Sequence, residues 1–71
     1  MSARFRVCAF RSVSGPHRAV VVRNDSDAPT ALSAGSRRSQ AAALRNLARL
    51  LADLHADAVR RADALEQEAR P

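Results

Sequence analysis

Lysine, tryptophan and tyrosine are missing from this 71-residue chain, and cysteine occurs once, at Cys8. A lone thiol excludes an internal disulfide and suits a reducing compartment, so a cytoplasmic protein is expected. Phe5 and Phe10 are the whole aromatic supply, which leaves little for base recognition by repeated stacking. Long apolar runs are absent too. The longest, such as Ala19 to Val22, span four residues, far short of the ~20 that cross a membrane. They also leave no apolar core for a secretory signal. Acids are absent from residues 1–24, a composition shared with organellar presequences. Those presequences are amphipathic helices, whereas this stretch alternates with a period of two.

Chemistry-bearing constellations are also lacking. Cys8, His17 and His55 follow no metal-ligand spacing, and no nucleophile is accompanied by a base and an orienting acid. "NDSD" (24–27) opens like a calcium loop but lacks the glycine and the distal glutamate, so it reads as a turn. No enzyme activity, metal or cofactor is expected.

What the chain has is arginine. Residues 1–38 hold seven arginines against Asp25 and Asp27, a net of +5. Residues 39–71 hold five arginines against five acids, a net of zero. The whole excess therefore sits in the first half, and clustered positive charge concentrates polyanions at a surface.

Periodicity divides the chain. "ARFRVCAFRSV" (3–13) alternates by parity, with Phe5, Val7 and Ala9 on one face and Arg4, Arg6, Cys8 and Phe10 on the other. "SGPH" (14–17) supplies a turn, and "RAVVVR" (18–23) is rich in β-branched valine. The two runs read as an antiparallel hairpin over 3–23. Residues 24–35 read as a turn or a short edge strand, with Thr30–Ser33 as its candidate.

From Ser36 the period becomes helical. Leu44, Leu47, Leu51, Leu54, Ala58 and Leu65 form a stripe, which Ala43 and Leu50 widen. Ser36 or Ser39 can cap a helix assigned to 36–69. The expected fold is a single α+β domain: a β-hairpin, or three antiparallel strands, packed against one long C-terminal amphipathic helix. Phe5, Val7, Val13, Val20 or Val21, Leu44, Leu47, Leu51 and Leu54 are its expected core.

Length sets a further constraint. A thirty-residue helix spans ~45 Å, whereas an eight-residue strand covers ~27 Å. The sheet can therefore cover only half of the helix. A chain this small also buries only ~60% of its unfolded surface. A homodimer is expected, with Leu50, Leu54 and Leu65 at its interface. Arg4, Arg6, Arg18, Arg23, Arg37 and Arg38 are the candidate phosphate contacts. The last two belong to "SRRS" (36–39), where free N–H groups of a helix start favour an anion. RNA or a ribosome is the expected partner. The rival reading is a protein–protein module engaging a small protein partner.

"SQAAALRNLARLLADL" (39–54) resembles the helix of small actinobacterial domains of unknown function, which are similar to ribosome hibernation-promoting factors. Ala41, Ala43, Leu44, Leu47, Ala48, Leu50 and Leu51 carry the likeness. It implies a double-stranded-RNA-binding-like fold and a dimer associated with RNA or ribosomes. Ser39, Ala43 and Asn46 also resemble the strand-to-helix junction of HicB-type antitoxins, with Ala42 where that pattern has an acid. That likeness implies a dimer that blocks an RNA-cleaving toxin and binds its own promoter. Both families need a third strand, which Thr30–Ser33 would supply.

Overall fold

A computed structural model describes residues 4–70. Three strands precede one helix: β1 (Phe5–Arg11), β2 (His17–Arg23), β3 (Pro29–Ser36) and α1 (Gln40–Ala69). The strands form an open antiparallel sheet in the order β1-β2-β3, and α1 packs across one face to give an α+β arrangement.

The expected hairpin is present, with Phe5 opposite Arg23, Val7 opposite Val21 and Ala9 opposite Ala19. Its loop closes at Gly15, whose φ of 115° suits a residue without a Cβ. The Gly15 N–H donates to the Ser12 carbonyl at 3.0 Å, and the Ser12 N–H donates to the Pro16 carbonyl at 2.9 Å. Val13 sits in this loop, 109% exposed, so the expectation that it joins the core is corrected. Alternation placed it on the inner face, but the turn breaks the alternation before reaching it.

Residues 24–35 divide differently from expectation. A turn at Asn24–Asp25–Ser26–Asp27 leads into a full third strand of eight residues that runs through Ser36. Pro29 opens this edge strand, where a missing N–H is tolerated. The pairing of β2 with β3 slips between Val20, opposite Ser33, and Val22, opposite Pro29. Thr30 repairs the gap. Its Oγ1 donates to the Val21 carbonyl at 2.9 Å and accepts from the Leu32 N–H at 3.1 Å.

The helix begins at Gln40, later than the expected 36, because Ser36 remains in the sheet. Ser39 is the N-cap, and its Oγ accepts from the Ala42 N–H at 3.0 Å. Ser36 Oγ instead accepts from the Arg38 N–H at 3.1 Å and so shapes the bend between strand and helix.

Ala19, Val21, Ala43 and Leu47 form the buried core, with Leu32, Ala34, Leu50 and Leu51 half-buried around it. Ala19 and Ala43 are fully enclosed, and their small side chains let the helix lie close to the sheet. Leu47 is the largest fully buried side chain among the described residues. Burying it contributes about 1.5–3 kcal/mol. Phe5, Val7, Leu44 and Leu54 were expected in the core but are exposed. The reason is placement: α1 lies over β3 and β2 and scarcely touches β1. Val20 is half-buried and its neighbour Val21 takes the core position.

Candidate polyanion-binding surface

The candidate arginines fall into two groups, distinguished by what their guanidinium groups already bind. At the turn end of the sheet, Arg6 donates to Asn24 Oδ1 at 2.7 Å and forms an ion pair with Asp27. The Asp27 carboxylate raises the Arg6 pKa above its already high ordinary value. Arg23 pairs with Asp25 at 3.1 Å. The "NDSD" turn thus supplies internal counterions for two of the six candidates. Arg4 is exposed just before β1, and its carbonyl accepts from the Asn24 N–H at 2.9 Å.

Arg18 lies on the helix-free face of the sheet, opposite Phe10 and Gly35. Its Nη2 donates to Ser33 Oγ at 3.0 Å, so it has a neutral partner and keeps its charge uncompensated. Arg6, Phe10 and Arg18 share that face by register, but Arg6 and Arg18 stand at opposite ends of it. The structure therefore does not gather the strand arginines into one patch.

The second group surrounds the start of α1. Arg37 and Arg38 are exposed in the bend, and among the described residues neither has a carboxylate partner. A concavity of about 430 Å³ opens here, lined by Ser36, Arg38, Ser39, Arg45, Asn46 and Arg49 among others. Asn46 Nδ2 donates to the Gly35 carbonyl at 3.0 Å and fixes the helix to the end of β3. Beyond the Ala42 N–H, which Ser39 Oγ satisfies, the first turn of α1 adds backbone N–H groups without intrahelical partners and a partial positive charge.

Arg45 and Arg49 escaped the sequence reading, although two signals marked them. Residues 28–52 carry four arginines and no acid. The i,i+4 spacing of Arg45 and Arg49 also sets like charges on one helix ridge, an arrangement that costs a few tenths of a kcal/mol in an isolated helix. Arg60 and Arg61, by contrast, both pair with Asp57 at 3.0 Å.

Among the described residues, no group of three or more His, Cys, Asp or Glu could hold a metal ion. Cys8 is half-buried on β1, and His17 is half-buried with its Nδ1 enclosed and lacking a hydrogen-bond partner. His55 is exposed on α1. No helix among the described residues is long and apolar enough to cross a membrane. Of the expected interface leucines, Leu50 packs against its own core, while Leu54 and Leu65 are exposed.

No protein-family model, curated protein or solved structure matches this chain.

Proposed function

We propose that this protein is a non-catalytic binder of a polyanion and that its ligand is the phosphate backbone of RNA, engaged where α1 begins. The observation that supports this reading is the concavity lined by Arg38, Arg45 and Arg49, beside Arg37, in a stretch with no acid of its own. Charge left unpaired there is available to phosphate, and a guanidinium fork fits phosphate oxygens in a bidentate way. The helix N-terminus adds N–H donors to the same opening. The choice of RNA follows the resemblance of residues 39–54 to RNA- and ribosome-associated domains. With only two phenylalanines in the chain, contact with phosphates outweighs base stacking, so weak sequence preference is expected.

The test is titration of a fluorescent RNA with the full chain across a salt series. Log affinity should fall linearly with log salt, by ~0.7 per phosphate contacted on a single strand. Replacing Arg38, Arg45 and Arg49 together by alanine should flatten that slope by about 2 and weaken binding at least tenfold at low salt. The paired variant Arg60→Ala/Arg61→Ala should retain nearly full affinity, because both groups lie outside the concavity and share the Asp57 carboxylate. Equal binding by the triple variant and the unaltered chain would overturn the assignment of the site.

A further inference from the structure

We infer that a second copy of this chain docks on the first, each copy laying the overhanging half of its α1 along the bare inner face of the other's β1. The inference is independent of the proposed function, because the surfaces lie at the opposite end of the sheet from the arginine concavity.

The first observation is an excess of surface. The chain exposes 5852 Å² for a mass of 7.7 kDa. A compact monomer of that mass exposes only about 4,300 Å². Its radius of gyration is 15.7 Å, against about 11 Å for a compact chain of this length. The surplus, about 1,500 Å², exceeds the ~800 Å² that each partner contributes to a standard interface.

Two apolar surfaces lie within this surplus. One is a strip on the sheet. A helix ~10 Å wide covers about two strands spaced ~4.8 Å apart, so α1 leaves the third uncovered. Phe5 is 52% exposed and Val7 45%, and with Val21, Leu32 and Leu51 they line an open groove of about 300 Å³. The other surface is the overhang of α1. Leu54, Ala58, Ala62 and Leu65 continue the helix stripe that packs on the sheet, and all four are exposed. A stripe already facing the sheet side can settle on another sheet without any rotation of the helix. Because each copy has both the strip and the stripe, a two-fold arrangement satisfies both at once and closes.

Charge does not oppose this pairing. Residues 53–70 carry five acids and three arginines, a net of −2, and Arg11 is the one charged residue that alternation places on the inner face of β1.

Sedimentation equilibrium of the full chain provides the test. At about 100 µM the expected mass is twice that of the chain, falling towards one chain on dilution. Leu65→Glu on the stripe and Phe5→Arg on the strip should each weaken the dimer at least tenfold while leaving the helical circular dichroism unchanged. Both side chains are more than half exposed in the single chain, so its own fold does not depend on them. Val59→Glu, an exposed apolar position off the stripe, should leave the dimer intact. A monomer at that concentration, a dimer indifferent to both stripe and strip variants, or one broken only by Val59→Glu would overturn the inference.

Discussion

Asp27 combines a positive φ of 53° with a carboxylate that holds Arg6. The two roles separate by substitution. Asp27→Asn keeps a residue that tolerates the left-handed region and removes only the charge. The pair it breaks is exposed on both sides, so the urea midpoint should scarcely move. Asp27→Ala also places a Cβ-bearing residue without local polar compensation at that φ, and should cost about 1 kcal/mol more. Urea titration of the two variants at equal m-value separates backbone from charge. Asp27→Asn also leaves the Arg6 charge without a carboxylate partner, and RNA affinity measured on it locates the site. Little change fits binding at the start of α1, whereas a clear gain would place the site on the strands.

Within α1, capping and core packing contribute on different scales. Ser39→Ala removes one acceptor from the first turn and should cost about 1 kcal/mol. Leu47→Ala truncates the largest side chain that sheet and helix fully enclose among the described residues, and should cost about 2–5 kcal/mol. A domain this small has a few kcal/mol of stability to lose. The capping variant should therefore still melt cooperatively at reduced temperature, and the core variant should be largely unfolded at 37 °C by circular dichroism. If the two variants melted alike, the core would not be centred on Leu47.

Across the whole molecule, 55 × 27 × 19 Å in extent, the helix divides into a supported half and a free half. Amide exchange should reflect that division. The amides around Ala43 to Leu51 sit over the core and should be among the most protected, whereas those from Ala58 to Ala69 rely on α1 alone in a single chain. If two copies embrace, protection of the tail should rise with protein concentration, and the melting temperature should rise with it. Tail amides as slow at low concentration as those over the core would mean that the helix needs no second copy.

Much of this architecture was legible in the residues. The parity of 3–13, the valines of β2 and the leucine stripe fixed two strands and a helix, because local periodicity determines which element can bury an apolar face. The length of the helix against that of a strand already implied an overhang. The third strand was only half legible, since Thr30–Ser36 is poor in β-branched residues and its pairing depends on one threonine hydroxyl bridging a slip in register. Tertiary structure alone decided which arginines stay available. The turn folds Asp25 and Asp27 back onto Arg23 and Arg6, while the packing of α1 on β3 brings Arg38 beside Arg45 and Arg49. Charge counts along a chain cannot show such partners, because ion pairing depends on distances that exist only after the helix has chosen which two strands to cover.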